Sequence, residues 1–276
     1  MYLIRHAEAT HNQRFREAAE QPERHDELKA AGYNVEDSPL TAAGVAQAAQ
    51  LQRRLLEEEG FGLVVSSPMR RALQTTRAAF GDAACGAGAG AGAEAGAGAG
   101  GESPLQVVQV CALHRERDGG LLRRCDSGSL RSVLEPEFGG SDRGVAFDFG
   151  ELPERWCLRH TQLLEMGEAP PITAETVGAG GQNAHRESVE ALEGRIDAFA
   201  EWLRQRPERR IAVVGHGDYW KAFTERVFGR PIRLDNCGWV AWGGVGRDAE
   251  LLGMVGGRHV ADAQEDEATK HGGQQR

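Results

Sequence analysis

Long apolar runs and a net positive charge are both missing from this sequence. No stretch approaches the ~20 apolar residues that a membrane-spanning helix needs, so we expect no contact with a membrane. The formal net charge is −9 at pH 7, which argues against a general binder of nucleic acid or of anionic surfaces. The net charge does not exclude a local basic pocket for a small anion, because the groups nearest a pocket set the electrostatic potential inside it.

Cysteine is also scarce, and its placement excludes several classes of protein. The five cysteines are odd in number and form no CxxC pair (Cys85, Cys111, Cys125, Cys157, Cys237). We therefore expect reduced thiols and a cytoplasmic location, in line with an N-terminal stretch that lacks the pattern of a secretory signal. His and Cys show no zinc-type spacing, so we expect neither a structural metal nor another cofactor.

Apolar segments of strand length alternate with segments of helical spacing. The predicted strands are residues 2–6, 61–67, 105–110, 210–217, 238–244 and 249–256, and the predicted helices are residues 41–60, 68–81, 187–207 and 218–229. This alternation predicts an α/β fold, a three-layer α/β/α sandwich with a mostly parallel central sheet.

Three segments interrupt or follow this pattern within one domain of residues 1–257. Residues 85–101 alternate Gly and Ala, offer almost no side chain to bury, and are predicted to be a disordered insertion. Residues 111–185 read as a loop-rich cap with one short helix around residues 156–166. We expect this cap to set substrate specificity. Residues 258–276 are polar and predicted to be a disordered tail.

Polar groups gather at the carboxyl ends of the predicted strands, where open α/β sheets bind ligands. They include four histidines, several arginines and a carboxylate (Arg5, His6, His11, Asn12, Ser66, Ser67, Arg70, Arg71, His114, Arg115, Glu116, Arg117, His216). Guanidinium groups pair with phosphate oxygens, a neutral imidazole is a competent nucleophile, and a carboxylic acid can protonate a leaving oxygen. Together these residue types favour a phosphoryl site.

Five segments in chain order carry a family resemblance: LIRHAEATHN, DSPLTAAG, SSPMRRALQTT, LHRER and VVGHGD. They resemble the signature segments of the histidine phosphatase superfamily, also called the phosphoglycerate mutase-like family. The resemblance implies that His6 is the phosphorylated nucleophile and that Glu116 is the proton donor. His216 would be a second phosphate-binding histidine, and Arg5, Asn12 and Arg71 would hold the phosphate.

Two departures from the family pattern bear on activity. Ala7 stands where the family usually has Gly, and Ala disfavours positive φ. The LHRER segment lacks the ERHYG-type continuation of the glycolytic mutases, which favours the phosphatase-like branch. The expected activity is hydrolysis of a small phosphomonoester through a phosphohistidine. A cofactor-dependent phosphoglycerate mutase and a non-catalytic phosphate-binding module remain alternatives.

Several assignments stay open at this level. His11 either contacts the substrate or only lines the mouth of the pocket, while Arg70, Arg115 and Arg117 are expected to be solvated or ion-paired. Glu102 and Glu151 compete with Glu116 for the acid role. The sequence indicates a small phosphorylated substrate as partner, but it defines neither that substrate nor the oligomeric state.

Overall fold

The structure is a computed structural model that describes residues 1–55, 60–81, 106–119, 123–140, 144–157, 173–175 and 186–260. The insertion predicted at residues 85–101 lies outside these ranges. The described strands are Tyr2–Arg5 (β1), Leu63–Ser66 (β2), Gln106–Val110 (β3), Val145–Asp148 (β4), Ile211–Gly215 (β5), Ile232–Trp242 (β6) and Leu251–His259 (β7). The described α-helices are Thr10–Glu20 (α1), His25–Tyr33 (α2), Ala42–Leu55 (α3), Arg70–Phe80 (α4), Arg131–Phe138 (α5), Val189–Arg204 (α6) and Gly217–Phe228 (α7).

The strands of the described ranges form one seven-stranded sheet in the order β4-β3-β2-β5-β1-β6-β7. Its first five strands pair in parallel, whereas β6 and β7 add an antiparallel edge. The parallel strands end on the same edge of the sheet, so the loops after β1, β2, β3 and β5 meet there.

Helices cover both faces of the sheet. Apolar residues of α3, α4 and α5 pack with Ile4, Val64 and Val108 on one face. Apolar residues of α6 and α7 pack with Leu3 and Val65 on the other. Consecutive residues of one strand thus enter different cores, as the pleat requires, and every residue of β5 is buried. The predicted three-layer, mostly parallel α/β fold is confirmed.

The structure corrects several of the predicted elements. Helices α1 and α2 lie between the first predicted strand and residue 37, where the polar sequence predicts no helix; α1 carries little apolar periodicity because it buries only His11 and Ala18. The predicted cap contributes α5 and the sheet-edge strand β4, so it is less loop-like than expected. In the helix predicted at residues 156–166, Trp156 and Cys157 are not helical and the other residues lie outside the described ranges.

The ends of other elements also differ from the prediction. Helix α4 begins two residues after Pro68, which therefore lies before the first turn rather than within it. Strand β7 continues to His259, so it includes the first residues assigned to the tail. Residues 261–276 lie outside the described ranges. Among the described residues, we find no helix that combines the length and apolarity needed to cross a bilayer.

The loop after β1 is held close to the first turn of α3. The Thr41 N–H donates to the Glu8 carbonyl at 3.0 Å, and Ala9 forms a bridge with Leu40. Gly44 permits this approach, because a Cβ atom there would lie 2.0 Å from the Glu8 carbonyl oxygen. The helix thereby fixes the backbone two residues beyond His6.

We predict that Gly44→Ala destabilises the protein by about 1–3 kcal/mol, since the added methyl meets backbone that cannot turn away. Gly194→Ala is the matched control: this helical glycine has nothing within 4 Å of a built Cβ, so the change should stabilise by about 0.5–1 kcal/mol. Urea unfolding of the two variants measures both effects. Equal stability of the two would contradict the close approach.

Candidate active site

Two histidines meet at the ends of the adjacent strands β1 and β5. Arg5 pairs with Gly215 in the parallel register, and the His6 N–H donates to the Gly215 carbonyl at 2.9 Å. His6 and His216 therefore leave the sheet side by side, with ring centroids 5.1 Å apart and both side chains buried. The pairing of two strands distant in sequence brings the two predicted histidines together.

The hydrogen bonds of His6 define its tautomer. Its Nδ1 lies 2.7 Å from the Ala7 carbonyl, which can only accept, so Nδ1 carries the proton. Its Nε2 accepts from the Arg71 Nε–H at 3.2 Å and therefore holds the lone pair. Burial and the positive charges of Arg71 and Arg5 lower the pKa of His6 well below its usual value. Neutral His6 thus presents a nucleophilic nitrogen to the guanidinium of Arg71.

Arg71 lies in the first turn of α4 and is fully buried. Its Nη1 donates to the Cys125 carbonyl at 2.6 Å, while its Nη2 makes no hydrogen bond to a described residue and lies 4.0 Å from the Asp126 carboxylate. A buried guanidinium nitrogen without an acceptor is costly. An anion bound next to His6 would supply that acceptor.

Two more buried nitrogens near His6 also lack a hydrogen-bond partner within the described part of the chain. Arg5 donates from Nη1 to the Leu234 carbonyl at 2.9 Å, but its Nε has no acceptor. His216 Nε2 lies 2.8 Å from the Ser67 hydroxyl, and its Nδ1 is unpaired. When Ser67 donates this bond, His216 Nδ1 carries a proton that can be donated to an oxyanion. Burial, followed by the charge of Arg71, lowers the pKa of His216 well below its usual value.

Asn12 and His11 occupy the first turn of α1. The Asn12 Oδ1 accepts from the Ala9 N–H at 3.1 Å, and its Nδ2 donates to His11 Nε2 at 2.9 Å. His11 Nδ1 then donates to the Ser38 hydroxyl at 2.5 Å. Asn12 retains one amide hydrogen for a ligand, whereas both ring nitrogens of His11 are already bonded. His11 therefore lines the cavity and orients Asn12.

Glu116 follows the short turn after β3 and faces the same cavity. Its Oε1 accepts from the Arg117 N–H at 3.0 Å and from the Tyr219 N–H at 3.1 Å, at the start of α7. Burial raises the pKa of Glu116 to about 7, and the carboxylates of Asp218 and Asp126 add to the effect. Because Oε1 is occupied by two donors, the acid proton belongs on Oε2.

A cavity of about 240 Å³ adjoins these groups. It is lined by most of the predicted site residues together with others from α1, the turn at residues 123–126, α7, β6 and β7 (Arg5, His6, His11, Asn12, Phe15, Glu116, Arg123, Asp126, Gly217, Asp218, Arg233, Leu234, Asp235, Arg258). Arg71 and His216 do not line this cavity but lie next to His6. The six residues predicted for catalysis and phosphate binding are thus brought to one place, while their roles remain predictions.

The other candidates have structural contacts that explain them. Arg70 pairs with Glu137 and lies near Asp37, and Arg115 pairs with Glu187, as expected for ion-paired arginines. Glu151 is exposed, does not line the cavity, and accepts from Gln109 at 3.3 Å.

His114 packs against Phe199 and Trp220. Its Nε2 donates to the Val214 carbonyl at 3.2 Å, which makes His114 a core residue. Glu102 lies outside the described residues.

Ala7 causes no backbone strain. Among the described residues other than glycine, only Asp37 and Cys237 have positive φ. The Ala7 methyl is buried in the core, and its N–H donates to the Thr75 hydroxyl at 3.0 Å. The departure from Gly at this position is therefore accommodated next to the nucleophile.

Sequence reasoning missed the residues that fasten β6 to the site. Asn236 Nδ2 donates to the His6 carbonyl at 3.0 Å, and the Cys237 N–H approaches the same oxygen at 3.4 Å. The dipeptide Asn-Cys before Gly238 signals only a bend in the sequence. This dipeptide does not predict a contact with His6, which lies more than two hundred residues earlier in the sequence.

Comparison with known proteins bears on the first part of the chain. Residues 1–85 match the model of the histidine phosphatase superfamily (branch 1). This match confirms the resemblance inferred from the sequence, and it includes Arg5, His6, Asn12 and Arg71. The histidine phosphatase match supports phosphoryl-transfer chemistry in general terms. Glu116 and His216 lie beyond the matched range and enter the site by the geometry described above.

Several solved structures resemble the chain along most of its length. The alpha-ribazole phosphatase from Shigella flexneri is 20% identical, with 91% of this chain and 93% of that chain covered and a TM-score of 0.49. A phosphoserine phosphatase from Entamoeba histolytica, solved with 3-phosphoglyceric acid, is 16% identical, with coverage of 92% and 94% and a TM-score of 0.46. The search of curated proteins found no match.

We predict that Arg71→Gln weakens binding of inorganic phosphate by about tenfold or more, because a charged hydrogen-bond donor next to His6 is lost. Arg70→Gln is the matched control, since the neighbouring arginine pairs with Glu137 and Asp37, whereas Arg71 donates to His6. Isothermal titration calorimetry measures both affinities, and circular dichroism verifies folding. Equal loss in both variants would remove Arg71 from the anion site.

Proposed function

We propose that the protein is a phosphomonoesterase that works through a phosphohistidine on His6. One observation carries the proposal: a neutral, buried His6 presents its Nε2 lone pair among buried nitrogen donors that lack acceptors. A phosphoryl group would supply oxygens to Arg5, Arg71 and His216 at once. Catalysis of phosphoryl transfer rests mainly on this kind of positioning and charge stabilisation.

In the first step, His6 Nε2 attacks phosphorus. The N–P bond forms while the P–O bond to the alcohol breaks, and Glu116 gives its Oε2 proton to the leaving oxygen. The Arg71 guanidinium exchanges its contact with Nε2 for one with a phosphoryl oxygen. The Nδ1 hydrogen bond to the Ala7 carbonyl stabilises the positive charge that develops on the ring.

In the second step, Glu116 is a carboxylate and takes a proton from water as the water oxygen attacks phosphorus. The N–P bond breaks, inorganic phosphate leaves, and Glu116 returns to its acid form. A pKa of about 7 suits both steps, because each protonation state is accessible near neutral pH. The two backbone N–H groups on Oε1 hold the carboxyl in place throughout.

The raised pKa of Glu116 favours this reading over a non-catalytic phosphate-binding module. A binding site gains nothing from a carboxyl group held at the cavity wall, since its charged form repels phosphate. Phosphatase and mutase chemistry share these residues. We favour hydrolysis because the sequence lacks the mutase-like continuation after LHRER.

We predict that a radiolabelled phosphomonoester leaves acid-labile label on His6 in the wild type and none in His6→Ala. Turnover of p-nitrophenyl phosphate should fall by several orders of magnitude in that variant, because the covalent route is lost. His114→Gln is the control, since His114 lies in the core away from the cavity. Equal turnover by wild type and His6→Ala would refute the proposal. Interconversion of 2- and 3-phosphoglycerate with slow phosphate release would instead favour the mutase.

We also predict a pH profile governed by Glu116. The acid form is needed to protonate the leaving group, so kcat/KM should fall as pH rises above about 7. His6 stays neutral below its usual pKa, so no matching loss is expected just below pH 6.5. Glu116→Gln should remove the alkaline fall and slow alkyl phosphates by about 10²–10⁴-fold, with a smaller loss for p-nitrophenyl phosphate. An unchanged alkaline limb in Glu116→Gln would assign the titration to another group.

A further inference from the structure

Arginines on the cavity wall differ in how far their charge is compensated. Arg5 is assigned above to the phosphoryl group. Arg123 has its Nε 2.9 Å from the Asp126 carboxylate and lies over the Tyr33 ring. Arg233 and Arg258 also line the cavity, on the two antiparallel strands of the sheet edge. Neither the phosphoryl chemistry nor the fold uses this second pair.

Arg233 and Arg258 lie directly opposite each other in the β6–β7 register. Like charges at opposed positions of an antiparallel pair destabilise the sheet. Arg258 has one distant partner, Asp235 at 4.0 Å, and Arg233 makes no ion pair with a described residue. Both arginines are exposed, and Asp235 lines the same cavity wall. Two guanidinium groups at opposed positions on one cavity wall have the chemistry to bind an anion.

The backbone holds this pair in a fixed relation to the nucleophile. Strand β6 has a bulge between Leu234 and Trp239, and Asn236 and Cys237 of this bulge approach the His6 carbonyl. Gly238 lets the two strands meet closely there, since a Cβ would lie 2.1 Å from the Gly256 carbonyl oxygen. The arginine pair is thus built into the same cavity as His6.

We propose that Arg233 and Arg258 bind a second anionic group of the substrate. The substrate is then a phosphomonoester that also carries a carboxylate or a second phosphate, with the reacting phosphoryl on His6 and the other group on the arginine pair. This inference rests on the proposed function for the identity of the reacting group. The anion-binding role of the pair can be measured separately.

The test compares esters that differ in the second charge. 3-Phosphoglycerate is paired with glycerol 3-phosphate, and fructose 1,6-bisphosphate with fructose 6-phosphate, so that the pairs distinguish a carboxylate from a phosphate. In the wild type we expect kcat/KM for at least one doubly anionic ester to exceed kcat/KM for the matched ester without the second anionic group by about tenfold or more. In the double variant Arg233→Gln/Arg258→Gln this ratio should fall to nearly one.

Arg230→Gln is the matched control, because this exposed arginine lies near β6 but not on the cavity wall. It should keep the wild-type ratio. A wild-type ratio near one for both pairs, or a ratio that the double variant preserves, overturns the inference even when p-nitrophenyl phosphate is hydrolysed. If no ester is hydrolysed, the proposed function fails, and calorimetric Kd ratios for the same pairs decide on the anion site.

Discussion

The parallel pairing of β1 with β5 is the constraint on which the candidate site depends. It places Arg5 beside Gly215 and lets the His6 N–H donate to the Gly215 carbonyl. Because both strands run into the same edge, a single hydrogen-bond register aligns the two histidines. The other candidate side chains lie close to these histidines: Arg71 on α4, Asn12 on α1 and Glu116 after the turn that follows β3.

A neutral histidine amid arginines is an arrangement that folding alone does not favour. The guanidinium groups near His6 are buried and incompletely paired, which costs stability in the absence of an anion. The same arrangement keeps Nε2 unprotonated and leaves donors ready for oxyanions, without reorganisation when a substrate arrives. The site at this strand end is therefore preorganised at a cost in folding stability. The apolar cores on both faces of the sheet stabilise the rest of the fold.

Strong local signals marked the parallel sheet and the polar strand ends in the sequence, while the family resemblance selected the six candidate site residues among them. Strand-length apolar runs ended in Arg5-His6 and in Gly215-His216, and the rule for strand ends placed them together. Sequence reasoning failed for α1, whose polar side chains carry little apolar periodicity, and for β4, whose short apolar run stands between Gly, Ser and Asp residues typical of loops. It also could not foresee the opposition of Arg233 and Arg258, since strand register depends on a bulge and on close glycine contacts.

The bulge in β6 separates two tasks that many sites must combine. The His6 carbonyl receives hydrogen bonds from the Asn236 side chain and from the Cys237 N–H of the bulge, and these two bonds connect the nucleophile to the cavity wall on β6. Arg233 and Arg258 take no part in that connection. Substitutions of these two arginines can therefore change which substrates bind while the geometry around His6 is kept. Substrate selectivity and catalytic chemistry can then evolve independently in the same fold.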